Sequence, residues 1–260
     1  MRRTKITPDL SLWPPEIRAL AERADIYDSS CSPEARVYFL DTGVGYYLKT
    51  AERGTLLRER DMTEYFHSLG LGARVCAYES ADVDYLITER VIGEDCTYGT
   101  YLREPKRLAE LLGVILRELH SISGVGCPAT ARKKEYLATV DKGYEIGRFD
   151  PSFLKGRYTA TREEAYRLVC DGGKHLGADT LIHGDFCLPN IMLDGWQRSG
   201  FIDVGNAGIA DRHIDLFWGA WTLEFNLGAR DFEKYFFEAY GRERVDDEIL
   251  RLIAHAECFG

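Results

Sequence analysis

The chain reads HGDFCLPN at residues 183–190, and Asp203 follows thirteen positions after Asn190. This spacing places the carboxylates of Asp185 and Asp203 and the amide of Asn190 on two neighbouring loops. One carboxylate can orient an attacking hydroxyl, while an amide and a second carboxylate are oxygen ligands suited to Mg²⁺ beside a nucleotide's phosphates. The motif therefore predicts phosphoryl transfer, with Asp185 as the catalytic residue and Asn190 and Asp203 as ligands of Mg²⁺.

The residues around this motif indicate short strands. Residues 180–182 form an apolar run that enters the loop, and residues 191–193 and 200–202 flank an Asp-Gly turn as a hairpin would. A single loop Asp or Asn is usually a turn or cap residue. His-Gly-Asp with Asn five positions later, however, arises by chance in roughly one chain of this length per thousand. Gly184 stands where protein kinases carry Arg, which favours a kinase of small molecules.

The run HGDFCLPNIMLDGWQRSGFIDVGNAGIADRHIDL, residues 183–216, closely resembles the aminoglycoside phosphotransferases, in particular those that phosphorylate the 3′-hydroxyl of kanamycin-type antibiotics. A weaker resemblance extends from Ser32-Pro33 to the C-terminus. It implies an α+β, two-lobed protein-kinase-like fold, ATP or GTP as phosphoryl donor, Mg²⁺, an aminoglycoside as acceptor and a role in antibiotic resistance. Many relatives have Arg where this chain has Asn206, so the role of that Arg is not carried over.

The order of predicted elements agrees with two lobes. Helices are expected near residues 15–23, 55–69, 105–122, 132–141, 162–170, 214–227, 231–240 and 246–258, and strands near 37–40, 46–50, 74–78 and 85–89. The start is rich in strands and the remainder is helical, as in an α+β protein. We therefore expect a nucleotide-binding lobe at residues 1–91 and a catalytic and substrate-binding lobe at 92–260. The longest irregular stretch, residues 142–161, is rich in Gly and aromatics, as functional loops often are.

Composition narrows the class of partner. The net charge is −9, which makes nucleic acid an improbable partner and would attract a polycationic substrate. No apolar run approaches about 18 residues and no secretion signal is evident, so we expect a cytoplasmic protein without a membrane partner. The seven cysteines are scattered and never in C-x-x-C spacing, which indicates reduced thiols. No protein partner is evident.

Two residues suggest a phosphate-binding pair. Lys49 lies inside an apolar strand, an expensive position for an ammonium group unless it meets an anion. Glu59 falls on the apolar face of the following helix. Taken alone, Lys49 reads as an edge-strand residue pointing to water, and Glu59 as a solvated surface acid. Kinase chemistry uses a strand Lys on the α/β-phosphates held by a helix Glu, and the resembling family shows the same order, so those roles are carried to this pair.

The rest of the nucleotide site follows from position and resemblance. No G-x-G-x-x-G precedes Lys49; the loop at residues 28–33 contains Ser32, which aligns with a phosphate-contacting Ser in the resembling family. Tyr47 shares a strand face with Lys49, so it can lie on the adenine or pack in the core. The linker Glu89-Arg90-Val91 is expected to offer backbone groups to the adenine edge.

An aminoglycoside carries several ammonium groups, so its site should be lined by carboxylates and carbonyls. The resemblance places this site in the loop before the catalytic segment, in a helix after it and in the last residues. Mapped onto this chain, it implies Asp150, Glu224, Asn226, Glu257 and the terminal carboxylate of Gly260. For each of these residues an ordinary surface role is the alternative.

Three functions compete at this point. The first is an aminoglycoside 3′-kinase, and the second is another small-molecule kinase of the same fold, acting on choline, homoserine, a sugar amine or a macrolide. The third is a non-catalytic nucleotide-binding module, which the intact set of Lys49, Glu59, Asp185, Asn190 and Asp203 disfavours. Asp215 resembles the buried Asp that braces a kinase's catalytic loop, and His183 reads as a structural histidine.

Overall fold

The computed structural model describes residues 3–31 and 35–260. The chain divides into two compact units: a first unit of residues 1–96 and 189–205, and a second unit of residues 97–188 and 206–260. This division differs from the single boundary expected at residue 91. The hairpin at 189–205 joins the first unit because its backbone bonds there: Phe201 N–H donates to Leu71 O at 2.7 Å, and Cys96 N–H donates to Ile191 O at 3.1 Å.

Antiparallel strands build the first unit. In chain order the strands of the protein are β1 (Thr4–Lys5), β2 (Asp25–Asp28), β3 (Ala35–Asp41), β4 (Tyr46–Glu52), β5 (Val75–Ser80), β6 (Val83–Glu89), β7 (Glu94–Asp95), β8 (Thr180–Ile182), β9 (Ile191–Asp194), β10 (Gln197–Phe201) and β11 (Gly208–Ala210). Six of them form one sheet in the order β1-β2-β3-β4-β6-β5, and β10-β9-β7 form another. In the second unit β8 pairs with β11.

The central strand β4 has two different faces. Leu48 is fully buried in a core cluster with Trp13 and Ile17. Side chains alternate along a strand, so Tyr47 and Lys49 lie on the opposite face from Leu48. The sheet thus keeps an apolar face for its core and presents Lys49 on its other face.

The helices are α1 (Pro15–Ala21), α2 (Leu57–Ser68), α3 (Gly99–Leu102), α4 (Pro105–Ser121), α5 (Arg132–Glu145), α6 (Arg162–Gly172), α7 (His213–Leu227), α8 (Glu233–Tyr240) and α9 (Asp247–Glu257). In α4 the buried residues Leu108, Leu112, Ile115 and Leu119 recur at helical spacing, so one stripe faces the core. This helix packs closely on α8 at Gly113. A Cβ at this position would lie 2.3 Å from Phe236 O, so the close approach requires glycine.

The strand-rich and helical units confirm the predicted α+β fold class. Two local expectations differ from the structure. The helix expected from residue 231 starts with a 3₁₀ turn, Arg230–Phe232, before α8. The stretch expected to be irregular from residue 142 is helical to Glu145 and contains a 3₁₀ turn at Pro151–Leu154. Across the described residues, none of the helices combines the length and apolar character needed to cross a membrane.

Candidate active site

A cavity of about 260 Å³ in the first unit collects most of the residues predicted to bind nucleotide and metal. Its lining includes Tyr47, Lys49, Glu59, Glu89, Val91, Asn190 and Asp203. These residues come from β4, α2, the end of β6 and the hairpin at 189–205. Ser32, predicted to contact phosphate, lies outside the described residues, although its neighbours Ser29 and Cys31 line the same cavity.

Lys49 is the cationic centre of this cavity. Its ammonium lies 2.7 Å from Glu59 Oε2 and 3.0 Å from Asp203 Oδ1. Burial by itself would lower the pKa of Lys49, but attraction by the two carboxylates outweighs it and the pKa is raised. Burial also raises the pKa of Glu59, against the opposing effect of Lys49. Lys49 therefore stays charged, in a fixed position, where an anion would be attracted.

The hairpin contributes the two predicted metal ligands. Asp203 has φ 57°, the one positive φ outside glycine in residues 3–31 and 35–260, and its side chain is 50% exposed. Such a conformation is strained in a non-glycine residue and is concentrated at functional sites. Asn190 is buried, and its carbonyl accepts a hydrogen bond from Ile202 N–H at 3.0 Å. That bond ties the segments carrying the two ligands to each other.

Tyr47 is held from two sides. Its hydroxyl accepts a hydrogen bond from Arg3 Nη2 at 2.7 Å, and its ring lies 5.2 Å from the ring of Phe39, over which the Arg3 guanidinium stacks at 3.6 Å. The ring nevertheless lines the cavity. Nothing in the local sequence of Arg3 links it to Tyr47, so its contribution could not be predicted from the sequence.

Two backbone N–H groups of the linker after β6 already have hydrogen-bond partners in the protein. Glu89 N–H donates to Arg74 O, and Arg90 N–H donates to Gly45 O, so both groups are engaged within the first unit. Val91 lines the cavity, whereas Arg90 lines a neighbouring one of about 250 Å³ with Arg3. Only the remaining backbone groups of this linker are therefore candidates for contact with a nucleotide base.

The second unit carries Asp185 on a loop whose backbone is tightly constrained. Gly184 has φ +81°, and a Cβ built on it would lie 2.0 Å from Asn206 O. Only glycine fits there, which explains why the Arg of protein kinases is absent. The N–H groups of His183 and Gly184 each donate to Asp215 at 2.7 Å, so Asp215 braces this loop.

Asp215 is itself held by a buried chain of hydrogen bonds. His120 Nε2 lies 3.1 Å from Asp215 Oδ2, and His120 Nδ1 lies 2.9 Å from the Tyr240 hydroxyl. Further along the loop, Leu188 N–H donates to Thr222 Oγ1 at 3.2 Å. The loop carrying Asp185 is thus anchored at both ends to helix α7, which supplies Asp215 and Thr222.

Glu257 is a buried acidic residue that interacts electrostatically with Asp185. It is only 8% exposed, accepts a hydrogen bond from the Tyr136 hydroxyl at 2.7 Å and another from Trp218. Burial, followed by repulsion from Asp185, raises the pKa of Glu257 to about 7, although the hydrogen bond from Tyr136 opposes this. A buried carboxyl whose pKa lies near neutrality is typical of a functional site.

The other predicted acceptor residues have different surroundings. Glu224 accepts from Arg157 and Arg230 at 3.1 Å each, so its charge is already neutralised. Asn226 Nδ2 donates to Thr222 O at 2.8 Å, which turns its amide toward its own helix. These contacts do not support Glu224 as an ammonium ligand.

Asp150 and Gly260 remain exposed beside the end of α9. Asp150 N–H donates to Cys258 O at 2.8 Å, and its carboxylate caps the following 3₁₀ turn through Ser152 N–H. Gly260 N–H donates to Glu257 O at 3.3 Å. The structure therefore brings Asp150 and the chain's last residues together, next to buried Glu257.

Asn206 stands where many relatives have Arg, and it accepts hydrogen bonds from Arg132. Arg132 Nε donates to Asn206 O at 2.7 Å, and Arg132 Nη2 lies 3.3 Å from Asn206 Oδ1. Arg132 also favours the ionised form of Glu257 electrostatically. The contact of this α5 guanidinium with Asn206 could not be predicted from the sequence, because 74 residues separate the two partners.

Comparison with known proteins identifies the family. A family model described as "Phosphotransferase enzyme family" matches residues 33–251. A probable aminoglycoside 3′-phosphotransferase of Lactococcus lactis is 44% identical over 97% of both chains, and an aminoglycoside 3′-phosphotransferase of Niallia circulans is 31% identical over 70% of this chain and 69% of its own. An aminoglycoside phosphotransferase from Streptomyces rimosus has the same fold, with a TM-score of 0.78 and 23% identity. The match covers 97% of this chain and 99% of that one. The same protein has also been solved in complex with ADP and streptomycin. The chain therefore belongs to the phosphotransferase enzyme family, in the branch of the aminoglycoside phosphotransferases.

Proposed function

We propose that this protein transfers the terminal phosphoryl group of ATP or GTP to the 3′-hydroxyl of aminoglycoside antibiotics and so confers resistance to them. The observation that carries the proposal is the loop of Asp185, which Asp215 and Thr222 brace and whose carboxylate interacts electrostatically with buried Glu257. In this proposal Asp185 acts on a hydroxyl, and Glu257 attracts an ammonium group. The 3′-phosphotransferase names of the relatives at 44% and 31% identity support the choice of acceptor.

In this proposal the first unit binds the nucleotide. Lys49 contacts the α- and β-phosphates, and Glu59 holds the Lys49 side chain in position through their 2.7 Å ion pair. The ring of Tyr47 lies against the adenine, steadied by Arg3. Ser32 and the free backbone groups of residues 89–91 complete the binding of phosphate and base.

The cavity also suits Mg²⁺. Asn190 and Asp203 supply one amide oxygen and one partly exposed carboxylate to the same cavity as Lys49. Within the described part of the chain, no group of three or more His, Cys, Asp or Glu is arranged to hold a metal ion. An incomplete protein ligand set fits an ion that keeps phosphate oxygens and water as its other ligands. When bound, Mg²⁺ would neutralise charge that develops on the phosphates.

Asp185 acts on the acceptor. Its carboxylate accepts a hydrogen bond from the acceptor hydroxyl and orients the oxygen toward the terminal phosphorus. As the new O–P bond forms and the bond to the leaving diphosphate breaks, the hydroxyl proton passes to Asp185. The braces from Asp215 and Thr222 matter because positioning supplies most of the rate enhancement in phosphoryl transfer.

Carboxylates near Asp185 select a polycation. Glu257 and Asp150 can bind ammonium groups of the acceptor, each adding a charge-assisted hydrogen bond, and Gly260 lies beside them. Glu224 and Asn226, which the resemblance also implies, act at most indirectly, because their polar groups are bonded to protein partners. The alternative is another small-molecule kinase of this fold, and the experiment must distinguish it from an aminoglycoside kinase.

The test measures the release of ADP from ATP in a coupled assay. The acceptors are kanamycin, neomycin, tobramycin and choline. Kanamycin and neomycin should be phosphorylated, whereas tobramycin, which lacks the 3′-hydroxyl, should bind without turnover. Rapid phosphorylation of tobramycin would mean that another hydroxyl is attacked. Phosphorylation of choline alone would move the protein to another class of kinase.

A further inference from the structure

Four aromatic side chains form a continuous cluster on the second unit, which we name the aromatic row: Phe153, Trp218, Trp221 and Phe225. The Trp218 and Trp221 rings meet edge to face at 5.4 Å, and Trp221 stacks on Phe225 at 4.9 Å with 13° between the ring planes. Phe153 lies 5.6 Å from Trp218 and 5.8 Å from Trp221. The proposed chemistry at Asp185 does not use any of them.

The row borders the helix face that holds the Asp185 loop. On α7, Asp215 and Thr222 bond the backbone of that loop. Successive helix residues are rotated by about 100°, so Trp218, Trp221 and Phe225, at positions i, i+3 and i+7, form one stripe beside Asp215 and Thr222. The stripe extends about 10 Å along the helix from Trp218.

The rings are not simply core. Phe225 is 70% exposed, and Phe153, Trp218 and Trp221 are only partly buried. The neighbouring Phe217 does serve the core, since it is 5% exposed. Two tryptophans and two phenylalanines that share an accessible surface are the kind of apolar patch that often serves as a binding site.

Acidic groups lie near the row. The Trp218 indole donates a hydrogen bond to Glu257, whose carboxyl interacts electrostatically with Asp185. Asp150 precedes Phe153 by three residues and is exposed. Aromatic faces next to carboxylates favour a ligand that has both C–H surfaces and ammonium groups, because the faces attract cations and the carboxylates pair with them.

We propose that the aromatic row is an acceptor subsite that binds the amino-sugar ring remote from the phosphorylated one. This inference rests on the proposed aminoglycoside kinase activity and adds a determinant of substrate range. The remote ring lies on the row through its C–H face, with its ammonium groups over the indole and phenyl rings. Acceptors that have three rings use the row, and acceptors that have two do not.

The experiment measures KM and kcat for a three-ring acceptor, kanamycin, and a two-ring acceptor, neamine, together with KM for ATP. The variants are Phe225→Leu and Trp221→Leu, with Phe225→Tyr as the conservative exchange. Tyr98→Leu is the matched control, because Tyr98 is a 53% exposed aromatic residue of the second unit outside the row. Circular dichroism and Tm establish that each variant is folded.

We expect Phe225→Leu to raise KM for kanamycin about two- to fivefold, which corresponds to the loss of one exposed cation–π contact. KM for neamine and for ATP should not change, and Phe225→Tyr and Tyr98→Leu should behave as wild type. Equal effects on kanamycin and neamine, or no effect on either, would overturn the subsite. A change of oligomeric state in Phe225→Leu without a change in KM would make the row a subunit interface instead. If the wild type phosphorylates neither acceptor, the proposed function itself fails.

Discussion

Replacing Glu257 with Gln should change how stability depends on pH. The carboxyl of Glu257 is buried, and it accepts hydrogen bonds from Tyr136 and Trp218 that a Gln carbonyl oxygen can also accept. The exchange therefore removes the ionisable proton while it keeps the shape and both donors. Burial raises the pKa of this carboxyl from 4.5 to about 7 in the folded protein.

The direction of this pKa change determines whether the free energy of unfolding rises or falls with pH. Because the folded pKa is raised, the stabilising effect of the protonated carboxyl is complete below about pH 4.5 and is lost as pH rises through about 7. The gap between these values corresponds to roughly 3 kcal/mol of unfolding free energy. Between pH 5 and pH 8 the Glu257→Gln protein should therefore gain stability relative to wild type, by an amount approaching that figure.

The assay is urea unfolding of both proteins at pH 5, 6, 7 and 8, with the free energy of unfolding taken by linear extrapolation. Glu224→Gln is the matched control, because its arginine partners lower the pKa of Glu224 against the effect of burial. Because a lowered pKa keeps Glu224 ionised throughout this range, the stability difference between wild type and Glu224→Gln should stay constant from pH 5 to pH 8. An unfolding difference for Glu257→Gln that stays constant to within about 1 kcal/mol from pH 5 to pH 8 would refute the reasoning.

Three further exchanges test the site. Asp185→Asn should lower kcat by about 10²- to 10⁴-fold while fluorescent-nucleotide binding persists, and retention of more than about a tenth of wild-type turnover would contradict its role. Asp203→Ala should lose activity that added Mg²⁺ barely restores, whereas Asn190→Ala should be partly rescued; identical Mg²⁺ titrations of both variants and wild type would argue against these ligands. Gly184→Ala should lower Tm and kcat together, because its Cβ would lie 2.0 Å from Asn206 O. A variant with wild-type kcat would show that the loop can relax.

The sequence alone predicted what depends on local order. Lys49 and Glu59 were paired because kinases and the resembling family show a strand Lys followed by a helix Glu, and the structure places their charged groups 2.7 Å apart. The strand boundaries around them follow from alternation and turn residues. The fold class was also predictable, since the strands come first and the long amphipathic helices follow.

Contacts between distant segments were not predictable. Asp203 also reaches Lys49, across 154 residues, and that contact depends on where the hairpin packs. Glu224 was expected to bind ammonium groups, but Arg157, from a stretch with no recognisable periodicity, pairs with it instead. The hydrophobic periodicity of a helix or strand predicts which of its faces is apolar. It does not predict which distant basic residue will form an ion pair with a given acidic residue.

The interrupted first unit has a consequence for synthesis of the chain. Its cavity takes residues from β4 and α2, and also Asn190 and Asp203 from a hairpin that begins about 120 residues after the end of α2. Chains emerge from the ribosome in order, so the strands at residues 1–96 must wait, incompletely covered, until residue 205 has been translated. During that interval apolar groups such as Phe66, which packs on Phe201 at 6.1 Å between ring centroids, lack their partner. Nascent chains that stop before the hairpin should therefore be targets for chaperones and proteases, and longer chains should escape once residue 205 is free of the exit tunnel.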